Sequence, residues 1–175
     1  MSDLRRRCEA FDRAELAAFD GLPAGLTLDE LAAVLPIDSE MAGRGFLGSE
    51  RRYASWAGAE SQRYHGGVRV WHEEGRVLVL EGRDPVDAGG RPLEAPDLGE
   101  PDLVLEAMLG RVRVSGGELV HGSRGLALRV NPESGLLLGA LAFAPIRASE
   151  YVQLLRPDVP PLEHLPERAP ERSAA

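Results

Sequence analysis

The side chains best suited to chemistry in this sequence are four histidines, and their spacing does not form a site. They are His65, His72, His121 and His164. None is spaced with another histidine, a cysteine or a carboxylate as a closed zinc site requires. His121 and Ser123 could pair a base with a nucleophile, but no G-x-S-x-G elbow surrounds the serine and the local residues favour a turn. The sequence therefore predicts no catalytic and no metal-binding residue.

A glycine motif at 43–48 matches the dinucleotide-binding pattern G-x-G-x-x-G letter for letter. In a dinucleotide site these glycines follow a strand and open a helix, so that the pyrophosphate meets the helix N-terminus. Here a helix is predicted before the motif, and the strand-like Tyr53–Trp56 follows it. Because the required context is missing, we expect no nucleotide and no other cofactor.

All 20 cationic side chains are arginines, and the chain contains no lysine. A P-loop and a protein kinase need a lysine on the phosphates, and pyridoxal or aldolase chemistry needs an amine for the Schiff base. These enzyme classes are excluded for the chain acting alone. An enzyme of another class stays open at this stage, although the sequence favours a protein without catalytic activity.

The N-terminal residues and the cysteine content indicate the compartment. The first twenty residues contain no apolar run of the kind found in a secretory signal or a membrane span. Cys8 is the only cysteine, so no internal disulfide can form. A chain without disulfides is expected in the cytoplasm.

The charge of the chain indicates which partners it would attract. The 28 acidic side chains outnumber the arginines and give a net charge of −8. Such a chain repels nucleic acid phosphates unless it carries a basic stripe, and none is visible. A basic protein partner would be attracted, although the charge could also serve solubility alone. We expect a protein partner and neither nucleic acid nor membrane; the oligomeric state is not specified.

The region 82–102 is the first of two candidate partner-binding elements. It is rich in glycine, proline and carboxylates, and a loop of this length is either functional or a linker. Asp84, Asp87 and Glu94 are the carboxylates that we predict to contact a basic partner. The alternative is a solvated acidic loop with no partner.

The aromatic hairpin near residue 70 is the second candidate element. Arg69 and Trp71 share one face of a predicted strand, and Val68, Val70 and His72 share the other. If the first face is exposed, Arg69, Trp71 and the nearby Trp56 have the composition of an interaction hot spot. If it is covered, the aromatic side chains belong to the core.

Helical signals occur at several places in the chain. Apolar residues spaced by three and four predict a helix over 3–19. Thr27 and Glu30 form a capping box that begins a helix ending before Pro36. Pro101 fits the first turn of a helix over 101–109, and Ser149 can cap a short helix through Leu155.

Alternating apolar residues predict an antiparallel sheet of six or seven strands. The hairpin signals are strongest at 68–81 and 126–144. We predict an α+β domain over 1–156 with the helices packed on one face, followed by a Pro-rich, disordered tail at 157–175. The predicted core comprises Leu31, Leu35, Val70, Val77, Val79, Leu105, Leu109, Leu126, Leu128, Leu138 and Phe143.

Residues 25–81 resemble the small helix-then-sheet module of the SmpA/OmlA type, which is duplicated in the β-lactamase-inhibitory proteins. The resemblance is carried by the helix start Gly25–Leu31, the strand Val68–Trp71 and the turn sequence Glu74-Gly75-Arg76-Val77. A fainter copy spans 101–144, so the chain resembles a tandem repeat of a helix-sheet unit. The resemblance implies a binding or scaffold protein rather than an enzyme.

These observations favour a cytoplasmic, non-enzymatic protein-binding module, such as an inhibitor or an immunity-type antidote to a basic protein. Two alternatives stay open. One is a small enzyme or small-molecule binder with a pocket between sheet and helices, using His72 or His121. The other is a structural subunit of a larger assembly, which would carry a continuous apolar surface patch.

Overall fold

The computed structural model describes residues 3–35, 37–44, 50–56, 68–83, 89, 91–93, 98–109 and 112–155. Within them the helices are α1 (Asp3–Asp12), α2 (Leu28–Ala32) and α3 (Ala148–Leu155), with one-turn 3-10 helices at Leu16–Ala18 and Gly122–Arg124. The strands are β1 (Ile37–Arg44), β2 (Glu50–Trp56), β3 (Val68–Glu73), β4 (Arg76–Arg83), β5 (Leu103–Leu109), β6 (Val112–His121), β7 (Leu126–Val130) and β8 (Leu137–Ala142). The predicted tail at 157–175 lies outside the described residues.

All eight of these strands form one antiparallel sheet in the order β1-β2-β3-β4-β8-β7-β6-β5. Each half is a four-stranded meander, and the two halves meet where β4 pairs with β8. The predicted class, α+β with an antiparallel sheet, is confirmed. The sheet has eight strands rather than the predicted six or seven. Residues 37–44 and 103–109 are additional strands, and 112–121 is one long strand.

The helix predicted over 101–109 is wrong. Leu103 and Leu105 are buried, while Val104 is half-buried and Glu106 is exposed, which is the two-residue period of a strand. The segment pairs with β6 along its length. The second half of the sheet therefore begins with a strand rather than a helix, and what repeats is a four-stranded meander.

The Ser-Gly-Gly sequence at 115–117 also predicts the turn of a further hairpin. This prediction is wrong, because 112–121 is one strand. Leu105 pairs with Glu118, and Ala107 pairs with Val114. Three residues of β6 thus lie opposite the single residue Glu106 of β5. The Ser-Gly-Gly sequence is accommodated as a bulge inside the strand rather than as a turn.

Helices cover both faces of the sheet, whereas one covered face was predicted. Residues of α1, the first 3-10 helix and α2 pack with Val70, Leu80 and Leu128. Residues of α3 pack with Trp71, Val79 and Leu141 on the other face. The central strands β4 and β8 are thus covered on both faces, and they read as nearly continuous apolar runs.

Eight of the eleven predicted core residues are buried: Leu31, Leu35, Val70, Val79, Leu105, Leu126, Leu128 and Phe143. Val77 is half-buried. Leu138 is 46% exposed because a register shift pairs Arg129 with Gly139 and Val130 with Leu137, which leaves Leu138 outside the pairing. The side chain of Leu109 lies outside the described part.

The start of α2 follows the prediction. The Thr27 Oγ1 accepts from the Glu30 backbone N–H at 3.2 Å, and the Thr27 N–H donates to the Glu30 carboxylate at 2.9 Å. The bonds from Thr27 lower the pKa of Glu30. Leu28 N–H also donates to the carbonyl of Gly75 at 2.7 Å, which ties the helix start to the β3–β4 turn.

Gly125 lies where three segments of the chain cross, and only glycine fits there. Its φ is +63°, and a Cβ would overlap the Phe143 carbonyl oxygen and come within 2.9 Å of the Gly21 Cα. The Phe143 backbone N–H also donates to the Gly125 carbonyl oxygen at 2.9 Å.

We predict that Gly125→Ala destabilises the fold far more than Gly135→Ala. Gly135 has a similar φ of +72°, but a Cβ there meets nothing within 4 Å. Alanine in this conformation costs about 1–2 kcal/mol in either variant, and the overlap at Gly125 adds about 2 kcal/mol or more. Urea unfolding of both variants measures the difference, and equal losses would contradict the crossing described above.

Candidate binding cleft at the C-terminal helix

Helix α3 is positioned by a three-residue apolar contact with the sheet. Tyr151, Val152 and Leu155 are buried, and Leu154 on the opposite side is 58% exposed. The helix begins at Ala148, where Glu150 accepts from the backbone N–H of Arg147 at 2.9 Å. Glu150 rather than the predicted Ser149 therefore caps this helix.

A buried hydrogen bond joins α3 to the sheet. The Tyr151 hydroxyl donates to Glu118 Oε1 of β6, and Glu118 is only 5% exposed. The ring of Tyr151 also packs against Phe143, with ring centroids 5.0 Å apart. A buried carboxylate is expensive unless it accepts hydrogen bonds, so this contact favours one position of the helix.

A second buried carboxylate joins the two halves of the sheet. Glu81 on β4 is 2% exposed and accepts from the Trp71 Nε1–H at 2.6 Å. Its other oxygen accepts from Arg129 of β7 at 3.1 Å. Strand β8 lies between β4 and β7, and opposite Arg129 it carries Gly139, which has no side chain to block the path. The interaction thus crosses the junction of the two meanders.

A cleft lies at the start of α3. It has a volume of about 520 Å³ and is lined by Asp102, Ser123, Pro145, Ile146, Arg147, Ala148 and Glu150. These residues come from the start of β5, the second 3-10 helix and the segment before α3. The Ser123 backbone N–H donates to Asp102 Oδ2 at 3.0 Å, which fixes the turn at the cleft wall.

His121 does not line this cleft but lies two residues before Ser123 of its wall, and it is 4% exposed. Burial lowers its pKa, the neighbouring Asp102 acts in the opposite direction, and Arg124 lowers it further. The residues that follow it form a 3-10 turn, as the sequence predicts. His121 and Asp102 are thus a histidine and a carboxylate close enough to interact at the edge of a cleft.

A smaller hollow of about 210 Å³ lies at the other end of α3. It is lined by Glu73, Val77, Leu78, Phe143, Ala144, Ile146, Leu154 and Leu155. Ile146 lines both hollows. The two hollows are therefore neighbours along the segment that leads from β8 into α3.

Of the six predicted partner-binding residues, the structure describes the side chains of Trp71 and Arg69. Trp71 is 2% exposed and bonded to Glu81, so its indole belongs to the core and is not an exposed contact. Arg69 is half-buried on the same face, opposite Glu81 in register. The backbone of Trp56 ends β2, but its side chain lies outside the described part, and so do Asp84, Asp87 and Glu94.

Sequence reasoning missed the residues of the cleft. Asp102 lies at the end of the carboxylate-rich region 82–102, but the carboxylates predicted there to contact a partner do not include it, and the predicted site residues include neither Arg147 nor Glu150. One local signal was available, because a carboxylate three residues after Arg147 at the start of a helix is half of a capping box. Nothing in the sequence indicated that Asp102 and Glu150 line the same cleft.

Two further properties bear on the site. The described residues hold no group of three or more histidine, cysteine, aspartate or glutamate side chains that could bind a metal ion. Of the helices in these ranges, none has the length and apolarity needed to cross a membrane.

Comparisons with protein-family models, with curated proteins and with solved structures find no match for this chain. The resemblance to the SmpA/OmlA-type module stays a prediction.

We predict that the Tyr151–Glu118 bond stabilises the fold measurably. Tyr151→Phe removes the donor but keeps the ring, and leaving a buried acceptor without its donor costs about 1–3 kcal/mol. A double-mutant cycle with Glu118→Leu, which removes the acceptor oxygens, isolates the pair, and we expect a coupling free energy of about 1 kcal/mol or more. Additive losses in urea unfolding would show that the two side chains act independently.

We also predict that His121 makes the fold less stable below neutral pH. Its pKa is lowered from 6.5 in the folded chain, so the unfolded chain binds more protons in the window below about 6.5. The free energy of unfolding should therefore fall as the pH drops from about 7.5 to about 5.5. His121→Gln should flatten this dependence, and an unchanged slope would contradict the assignment to His121.

Proposed function

We propose that this chain is a non-enzymatic protein-binding module for a basic protein partner, of the inhibitor or immunity-antidote kind. The observation that carries the proposal is the sign of the exposed charge. Among the side chains described, eleven carboxylates are exposed against six guanidinium groups. The buried carboxylates Glu81 and Glu118 accept hydrogen bonds inside the fold. The acidity is therefore presented to solvent, where it attracts a basic surface.

The cleft supports binding better than acyl-transfer chemistry. A serine–histidine–aspartate relay requires the carboxylate to orient the imidazole. Asp102 instead accepts from the backbone N–H of Ser123 through Oδ2. In the described part of the chain this is the hydrogen bond that the Asp102 carboxylate makes, and none joins it to His121.

A second candidate function is the binding of a small molecule in the same cleft. The observation that favours it is the cleft of about 520 Å³ beside His121 and Asp102. This volume lies within the usual range for small-molecule sites. Screening a fragment library by ligand-observed NMR tests it: hits that bind the native chain and not Asp102→Asn would favour this candidate.

The third expectation, a structural subunit, receives less support from the described surface. Large apolar side chains are exposed there at Leu136, Leu138 and Leu154. The first two lie at the start of β8 and the third lies on α3. Two separate sites of this size do not form the continuous apolar patch that a subunit interface requires.

The proposed function is tested by affinity capture with the full chain from a lysate of the native organism, followed by mass spectrometry. We expect a basic partner whose captured amount falls as salt rises from about 50 to about 500 mM, because exposed charges are screened. A partner that is neutral or acidic, or capture that is indifferent to salt, would contradict the proposal.

We predict that carboxylates of the region 82–102 accelerate the encounter with that partner. Neutralising Asp84, Asp87 and Glu94 should slow association by about tenfold at low salt and leave dissociation nearly unchanged. The control is a triple variant with the same change of net charge, Asp20→Asn, Asp29→Asn and Glu133→Gln. Surface plasmon resonance measures both rates, and equal effects of the two variants would mean that only net charge matters.

A further inference from the structure

The two hollows beside α3 adjoin each other at Ile146 and together form a groove. We propose that this groove, lined by the segment Phe143–Arg147 and by α3, is the docking site for a segment of the basic partner. The segment presents one cationic and one large apolar side chain. This inference rests on the proposed function and adds to it the location of the interface and the chemistry that it recognises.

The apolar end of the groove suits one large side chain. Its volume of about 210 Å³ is below the range of small-molecule pockets, and Val77, Leu78, Phe143 and Leu155 contribute apolar walls. Leu154 stands at its edge and, at 58%, is the most exposed large apolar side chain of the described part. An exposed leucine beside an apolar hollow is a suitable centre for a protein contact.

The polar end of the groove suits a cationic side chain. The carboxylates of Asp102 and Glu150 line it, and Pro145, Ile146 and Ala148 add apolar surface that would cover an alkyl stem. Bonds from Arg147 lower the pKa of Glu150, so this carboxylate is ionised at neutral pH.

Arg147 pairs with Glu150 in the free chain, and a cationic side chain of the partner would displace it from that carboxylate. Its Nε lies 3.4 Å from Glu150 Oε2, and its side chain is 81% exposed. An exposed pair of this kind is weak and easily rearranged. A partner's arginine or lysine could therefore take the place of Arg147 at little cost, while the Arg147 backbone N–H continues to hold Glu150 in position.

The charge and the shape of the groove together favour a protein segment. The exposed surface is acidic, and Glu73 adds a further carboxylate at the apolar end. Because Ile146 belongs to both hollows, two side chains of one short segment can occupy them together. A cation alone would leave the apolar end empty, and an apolar ligand alone would leave the carboxylates unused.

The first test is a selection of twelve-residue peptides from a random phage-displayed library on the immobilised full chain. We expect enriched peptides to combine arginine or lysine with leucine, isoleucine or phenylalanine. A fluorescently labelled enriched peptide then serves as the probe in fluorescence polarisation. Failure to enrich any peptide, or enrichment without cationic residues, would overturn the groove as the docking site.

Matched variants locate the peptide site. Leu154→Glu should weaken binding about tenfold or more, and Leu138→Glu, which changes an exposed leucine of β8, should change it less than about twofold. Asp102→Asn with Glu150→Gln should weaken it about tenfold and reduce its salt dependence, whereas Glu133→Gln should not. Both groove substitutions leave acceptor oxygens for the Ser123 and Arg147 N–H groups. Equal effects of groove and control variants would overturn the proposal.

The native partner separates failure of this inference from failure of the proposed function. Suppose that the native chain captures a basic partner in a salt-dependent manner, and that Leu154→Glu and the Asp102→Asn, Glu150→Gln variant capture it equally well. The groove is then not the docking site, and the proposed function stands. If no basic partner is captured by the native chain, the proposed function itself fails. If the native chain captures the partner and the groove variants do not, the result supports both the groove as docking site and the proposed function.

Discussion

The antiparallel pairing of β4 with β8 is the contact on which the rest of the structure depends. It runs from Leu80–Ala142 to Arg83–Gly139 and turns two four-stranded meanders into one sheet. At one end of it a Cβ on Gly139 would come within 2.8 Å of the Gly82 carbonyl oxygen, so the strands approach closely only because Gly139 is a glycine. The same glycine leaves Arg129 room to reach Glu81 across β8. Backbone hydrogen bonds between β4 and β8 and the Arg129–Glu81 ion pair thus both stabilise the junction of the two meanders.

Buried polar contacts lie on the face of the sheet that α3 covers, and they determine which surface is available to a partner. Glu81 holds Trp71 in the core, and Glu118 receives the Tyr151 hydroxyl from the helix. Ion pairs and hydrogen bonds in a dry interior add specificity of position even where their net contribution to stability is small. The result is a helix whose buried side is fixed and whose exposed side presents Leu154 and the two hollows. A groove on a fixed helix loses little entropy when a partner binds.

Local signals in the sequence were sufficient for the elements that local interactions control. The Thr27–Glu30 capping box and the β3–β4 hairpin are where their patterns predict them. The sequence predicts a helix over 101–109 because Pro101 fits a first helical turn, whereas pairing with β6, which that local signal does not reveal, makes 103–109 a strand. The exposure of Leu138 and the bulge at Ser115–Gly117 both result from register shifts between strands, which the pattern of a single strand does not reveal. The cleft could not be predicted for the same reason: Asp102 and Glu150 meet only through the topology of the sheet.

The central claim, that an acidic surface beside α3 receives a basic protein, is tested most directly by hydrogen–deuterium exchange of the full chain alone and in complex with its captured partner. The account predicts slower exchange in the complex at 143–155 and at the β3–β4 turn around Glu73. It predicts unchanged exchange at the β7–β8 turn around Glu133, on a different part of the surface. Protection of the β7–β8 turn with no change along α3 would contradict it.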